Sequence, residues 1–338
     1  MHMIRNQRRR ALLGALASGA ALPAGWSGMA AAQSRNPASD YPNRTIRIVV
    51  TFAAGSATDI MTRHLLPSMT QTLGQAIAVE NRVGAAGVIG SENVMRAAPD
   101  GYSIAMSAVS AFSIAAAMRP HNLPYDIARD FTPIGRACTS TNVVVVHPSV
   151  PARTLGELIE YSKTVPGGVR FASGGIGGSN HLAGELIALR TGAKLMHVPY
   201  SNQSQAVTDV VAGHVPMLIY TVAVLPHVRA GRLRALAVTA EQRQKQLPEV
   251  PTAIEQGAAG VVANSWFGLF GPAQLPDSIR DRLFTALRDA LAVPEVEARL
   301  IDTGLAPAPL APAEFRAFIE RDTATWREVV KAAGIKAE

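Results

Sequence analysis

Three Gly- and Ser-rich segments of this sequence carry residue types that can bind an anion without a formal cation. The first, 52–59, holds Phe52, Ala54, Gly55, Ser56 and Thr58; the second, 172–181, holds Ser173, Gly175, Gly177, Ser179 and Asn180; the third is short and holds Ser107 and Ser110. Glycines let a backbone approach a ligand closely. A helix that follows such a turn offers free N–H groups and about half a positive charge, and serine hydroxyls add rotatable donors. No Arg or Lys occurs in the three segments. One such loop alone needs no more explanation than a tight turn; two, in separate halves of the chain, point to a shared cleft.

Other chemistry finds little support. The chain has no G-x-S-x-G, H-E-x-x-H, Walker or C-x-x-C motif. Segment 84–90 has a Gly-rich turn with the wrong spacing for a dinucleotide loop. His147, His181, His197 and His214 stand alone, without the i, i+4 pairing of helical metal sites, and read as structural. No catalytic residue, metal or cofactor is expected. The one cysteine, Cys138, adjoins a β-branched run and reads as a core residue.

The elements that must position the turns follow from periodicity. Strands are expected at 46–51, 77–79, 104–106, 141–146, 170–172, 194–198, 217–220, 235–238 and 266–270, alternating with helices at 58–73, 87–98, 154–164, 179–191 and 204–212. Met61, Leu65, Met69 and Leu73 recur every four residues, and Ser56–Asp59 and Thr154–Glu157 fit capping boxes. Helices at 276–291, 294–303 and 312–333 close the chain, each with a proline at its expected N1 position. The alternation implies an α/β fold with mostly parallel sheets.

With 338 residues, 48% apolar and 17% charged, the chain is globular and large enough for two domains. Aromatics at 5% are too few for a nucleic-acid stacking platform. Arg5, Arg8, Arg9 and Arg10 lie in an N-terminal stretch without acids, and removing them from the formal +7 leaves +3 for 33–338. No nucleic-acid partner is expected. Those arginines, the apolar stretch 11–23 and Ala30-Ala31-Ala32 form an export signal at 1–32, cut after Ala32, with a polar linker at 33–40. Both the Sec and the Tat route fit. The mature chain is expected in the periplasm.

Strings from Tyr41 to Ile335 resemble the substrate-binding receptors of tripartite tricarboxylate transporters, the Bug receptors. They include Phe52-Ala53-Ala54-Gly55 with Thr58-Asp59, Val79-Glu80-Asn81-Arg82 with Gly84, Ala98-Pro99-Asp100-Gly101-Tyr102, Leu123-Pro124-Tyr125-Asp126, His147-Pro148-Ser149-Val150-Pro151, His197-Val198-Pro199-Tyr200 and Ser265-Trp266-Phe267-Gly268-Leu269. The resemblance implies an α/β, two-lobed periplasmic-binding-protein-like fold with a hinge of two crossing strands. Lobe one would comprise 41–140 and 266–338, lobe two 141–265, with crossings near 139–144 and 265–270. It implies a monomeric, non-enzymatic receptor that traps a small organic carboxylate and delivers it to membrane transporter subunits. One carboxylate would sit at 53–58, partly through waters, and a second polar group at 173–180. Two positions depart from the family: Ser56 replaces a usual second Gly, and Tyr220-Thr221 stand where some amino-acid-binding members carry an Asp. Tyr200, Tyr220 and Thr221 therefore offer flat surface and neutral hydroxyls, and the expected ligand is a di- or tricarboxylate or an aromatic acid without an ammonium group. A receptor feeding a sensor kinase is the alternative output; an exported α/β hydrolase is the remote one.

Overall fold

The β-branched run after Arg44 forms the buried strand β1 (Ile46–Val50). It leads into α1 (Ala57–Leu73), whose four-residue periodicity buries Met61, Leu65, Met69 and Leu73 against the sheet. The order continues with β2 (Ile77–Asn81), α2 (Val88–Met95), β3 (Ser103–Ala108), α3 (Ala115–Met118), α4 (Ile127–Asp130) and β4 (Phe131–Val146). The computed structural model describes residues 40–200 and 203–335; the expected export signal at 1–32 and nearly all of the expected 33–40 linker lie outside the described residues.

The second run repeats the pattern: α5 (Leu155–Thr164), β5 (Val169–Ser173), α6 (Ser179–Thr191), β6 (Leu195–Pro199), α7 (Gln203–Val211), β7 (Met217–Thr221), α8 (Leu225–Arg229) and β8 (Arg234–Val238). The chain then returns through β9 (Asn264–Pro272) and closes with α9 (Asp277–Leu291), α10 (Pro294–Asp302), β10 (Ala306–Leu310) and α11 (Pro312–Ala333). Pro294 and Pro312 open their helices as expected, whereas Pro276 is the N-cap residue of α9, one position outside it.

Sheet order is β2-β1-β3-β9-β4-β7-β5-β6. Each half is a parallel trio in the local order second, first, third, flanked by a long antiparallel strand. The expectation of mostly parallel sheets is corrected. The crossing strands run against both trios, so antiparallel pairings among the described residues outnumber parallel ones. β4 pairs through residues 131–141 with β9 and β10, and through 142–146 with β7 and β8. At the changeover the buried Asn142 side chain donates from Nδ2 to the Ala263 carbonyl at 2.6 Å. The Thr239 N–H donates to the Asn142 carbonyl at 2.9 Å. The first bond ties β4 to the residue before β9 and the second ties β4 to the residue just after β8, where the chain passes between halves, giving a two-lobed α/β fold with a hinge of two strands.

Trp266 anchors the largest core. Its ring meets Phe315 edge-on at 5.3 Å, and its Nε1–H donates to the Asp322 carboxylate at 2.8 Å. α11 thereby packs on β9, and it also reaches α6 through a two-pronged Arg190–Glu328 pair at 2.7 and 2.8 Å. Cys138 is fully buried, and burial pushes its thiol up to about 12, as befits a core residue. Among the described residues no helix is long and apolar enough to cross a membrane.

Candidate functional site

In open α/β sheets, ligands settle beyond strand C-termini where the strand order reverses. Here those ends are the turns after β1 and β3 in one half and after β5 and β7 in the other.

The turn after β1 is built around Asp59. Ser56 caps α1 by accepting the Asp59 N–H at 3.3 Å. The Asp59 carboxylate does not return to Ser56; it accepts the Gly55 N–H at 2.9 Å, Arg63 Nε–H at 2.9 Å and Asn81 Nδ2–H at 3.0 Å. Gly55 can make this bend because its φ of +78° is open to glycine. Its amide is thus already taken, whereas the N–H groups of Ala57 and Thr58, at the start of α1, meet no acceptor among the described residues. Burial works to raise the Asp59 carboxyl, but the bonds from Arg63, Gly55 and Asn81 outweigh it and hold it near 2. A carboxyl held below its unfolded value of about 3.9 stabilises the fold above pH ~4, and that contribution fades as pH falls toward 2. The thermal midpoint of wild type should therefore exceed that of Asp59→Asn by a constant margin above pH ~5. The margin should narrow steadily below pH 4. Calorimetric scans from pH 2.5 to 7 measure it; a margin independent of pH rules the account out.

The turn after β5 rests on two stacked histidines. His181 and His197 lie 3.7 Å apart, ring on ring, with Phe171 beneath. They are not the isolated residues expected from the sequence: 16 positions separate them along the chain, and the β5–α6–β6 crossover brings them together. Burial, and then His181, lower the His197 pKa to about 3, so His197 is neutral. Its Nε2 lies 2.6 Å from the Ser173 hydroxyl, while His181 Nδ1 accepts the Gly177 N–H at 3.1 Å. The rings thus shape the loop from behind. At the start of α6 the N–H groups of Ser179 and Asn180 meet no acceptor among the described residues, mirroring Ala57 and Thr58. The Ser179 hydroxyl crosses to Ser265 of β9 at 2.7 Å.

Between the halves lies a cavity of about 210 Å³. Ala85, Ala86, Ser110, Ile114, Met118 and Arg119 line one side; Ile176 and Gly177 line the other. Gly177 has φ +77°, a conformation that favours glycine, and a Cβ there would lie 2.6 Å from the Met118 sulfur and force that side chain aside. Of the expected site residues, Ser110 and Gly177 line the cavity. Phe52 stands next to it, its ring tip 3.0 Å from where a Cβ on Gly87 would be. Ser107 and Ser173 are fully buried behind the turns, Ser107 sharing its hydroxyl with Thr51 at 2.9 Å. Tyr200 bonds Asp209 at 2.8 Å, Tyr220 bonds Gln203 at 3.0 Å, and Thr221 caps the turn into α8. Gly175 approaches the Tyr200 carbonyl, so Tyr200 abuts the second turn.

Sequence reasoning missed Arg119. It lines the cavity from the C-terminal end of α3, and it has no ion-pair partner among the described residues. No acid lines this cavity. The only signal available in the sequence was the Ala-rich run 115–117 ending in Met118-Arg119, which carries no motif. Among the described residues no group of three or more His, Cys, Asp or Glu could hold a metal ion.

Comparison with known proteins agrees with this geometry. Residues 61–335 match the family described as tripartite tricarboxylate transporter family receptor. A protein encoded in the tcbD–tcbE intergenic region of Pseudomonas sp. (strain P51) is 37% identical over 292 residues, covering 86% of each chain. Protein BugT of Bordetella pertussis is 35% identical over 301 residues, 88% of this chain and 92% of BugT. Among solved structures, MatC of Rhodopseudomonas palustris with bound malate superposes with a TM-score of 0.71 at 30% identity, covering 86% of this chain and all of MatC. A second R. palustris protein, solved with adipate, gives 0.72 at 29% identity, covering 88% and 99%.

Proposed function

From its membership of the tripartite tricarboxylate transporter receptor family, to which this chain belongs, we propose that it captures a small organic carboxylate lacking an ammonium group and hands it to a membrane transporter. Lobe one, 41–140 with 266–338, and lobe two, 141–265, close on the ligand about the β4–β9 hinge. Its output is the closed, loaded shape rather than a chemical product. Structural neighbours of this family are periplasmic binding proteins, and we place the mature chain in the periplasm, cut after Ala32. Intact mass of the exported protein tests the cut: a chain beginning at Gln33 supports it, and one retaining 1–32 refutes it.

The observation that carries the ligand class is the cavity lining: one unpaired cation, Arg119, and no acid. An ammonium group brought there would lose its water without gaining a counter-charge, at a cost of several kcal/mol. A carboxylate instead meets Arg119, and closure of the lobes brings its second polar group to the amides at the starts of α1 and α6, which do not themselves line this cavity. The solved relatives with malate and adipate hold dicarboxylates of this kind. Of the acids near the second turn, Asp209 already accepts from Tyr200 and Gln205, and Glu185 lies 3.6 Å from His181 behind the turn. A thermal-shift panel of succinate, malate, adipate, citrate, benzoate, aspartate and glutamate at matched concentration tests the reading. Stabilisation by one or more of the first five is expected; selective stabilisation by aspartate or glutamate overturns it.

A further inference from the structure

Two imidazole rings hold the second turn from behind, and only one of them is placed to let go of it. His181 Nδ1 accepts the Gly177 N–H at 3.1 Å, and Gly177 lines the interlobe cavity. The Ser173 hydroxyl accepts the Gly175 N–H at 3.2 Å and lies 2.6 Å from His197 Nε2. The turn is thus tied at two points, one to each ring.

A proton affects the two ties differently. A ring nitrogen that accepts carries no hydrogen, so neutral His181 bears its hydrogen on Nε2. Protonating Nδ1 turns the acceptor into a donor that faces another donor, and the bond to Gly177 is lost. At the other side of the ring, Nε2 stands 3.6 Å from the half-buried Glu185 carboxylate, one turn along α6. That separation is too long for a good hydrogen bond in the neutral state, but it is an attraction once the ring is charged. His181 therefore stands between two arrangements: neutral and bonded to Gly177, or charged and drawn to Glu185. His197 has no such choice. Burial, and then His181, keep it neutral, and its partner is a hydroxyl that can donate or accept.

The other elements packed on α6 bring no competing charge to this ring. β6 contributes His197, ring on ring at 3.7 Å, and β5 contributes Phe171. β4 and β7 share an apolar core with α6 through Val144, Val146, Met217 and Ile219. β9 meets the first residue of α6 through Ser265 and Ser179. α11 meets its last turn, where Glu328 is already paired with Arg190.

We propose that His181 is a positioning residue for the cleft: its neutral ring fixes Gly177 in the ligand-holding shape, and its protonation releases the turn and lowers affinity for the bound acid. The effect on affinity rests on the cleft reading above; the coupling of His181 to Gly177 does not. Imidazole is the side chain whose charge ordinarily changes between about pH 5 and 8. A receptor built this way holds its acid at neutral pH and gives it up more readily where protons accumulate.

Nuclear magnetic resonance of ligand-free protein, labelled with nitrogen-15 in His and Gly, tests the coupling. At pH 8 the His181 Nδ1 resonance should be that of an unprotonated nitrogen. Between pH 8 and 5 the Gly177 amide should shift in step with His181. Glu185→Gln should move that step to lower pH, because the charged ring loses its partner. His181→Phe keeps a ring stacked on His197 but cannot accept, so its Gly177 amide should not respond to pH. Calorimetric titration with malate tests the consequence. His181→Phe should bind malate about fivefold more weakly than wild type at pH 8. The ratio should approach one by pH 5.5, because wild type has then lost the same bond, and malate's own titration cancels in the ratio. The proposal is overturned if His181 stays neutral from pH 8 to 5, if the Gly177 amide does not follow it, or if the ratio of affinities is independent of pH. Failure of all three proteins to bind malate counts against the cleft reading, and the resonances then decide the coupling alone.

Discussion

Replacing Arg119 by Glu lowers affinity for the carboxylate that the panel identifies by about a hundredfold or more. Two effects act in the same direction. A charge-assisted hydrogen bond typically contributes about 1.5–3 kcal/mol, and reversal also sets one carboxylate against another in a confined cavity. Arg119→Gln, which keeps a donor and removes the charge, should cost about tenfold. The backbone N–H of Arg119 donates to the Ala115 carbonyl at 2.9 Å in every variant, so α3 should still end as it does. Titration calorimetry measures the affinities, and circular dichroism checks the fold. Because Arg119 is partly exposed, the wild-type affinity should also decline with added salt while that of Arg119→Gln changes less. An Arg119→Glu protein with wild-type affinity would remove this residue from the site.

Trp266→Ala should be the most destabilising substitution among those discussed, by about 3–5 kcal/mol. The ring is 1% exposed and touches Phe315 and Phe318 edge-on, with Phe112 and Phe270 tilted against it. Its removal leaves a cavity and also deprives Asp322 of its indole donor. Burial already pushes the Asp322 carboxyl above the ordinary range, against the bonds that favour its ionised form, so losing a donor penalises it further. Trp266→Phe separates the two contributions: it keeps most of the packing and should cost about 1–3 kcal/mol for the lost hydrogen bond. Equilibrium urea unfolding compares the three proteins. Equal stability of Trp266→Ala and Trp266→Phe would mean that packing around this ring matters little.

Much of the architecture is written locally. β1, α1 and α5 form where period and capping predict, with Ser56 and Thr154 accepting the N–H three residues on, because these signals lie within one or two turns of chain. Local signals fail where their chemistry is ambiguous. β10 carries Pro307 and Pro309, which cannot donate to a ladder, yet it pairs with β4 through an irregular register. Such a strand survives only because one edge needs no donors. The π-turned segment 110–114 and α3 have no capping residue to announce them, and they carry Ser110, Met118 and Arg119 into the cavity.

The sequence alone determined the α/β class, the family and the Gly- and Ser-rich turns at strand ends, because glycine placement, capping and strand alternation are short-range properties. Only the tertiary structure decided which of those groups are available. It spent the Gly55 amide on Asp59, buried the Ser107 and Ser173 hydroxyls, and stacked His181 on His197 behind the second turn. It also set Arg119 opposite Gly177 across a cavity with no acid. The distinction is physical: a turn's shape is fixed by its own dihedral angles, but the charge in a cleft is the sum of side chains delivered by elements far apart in the chain.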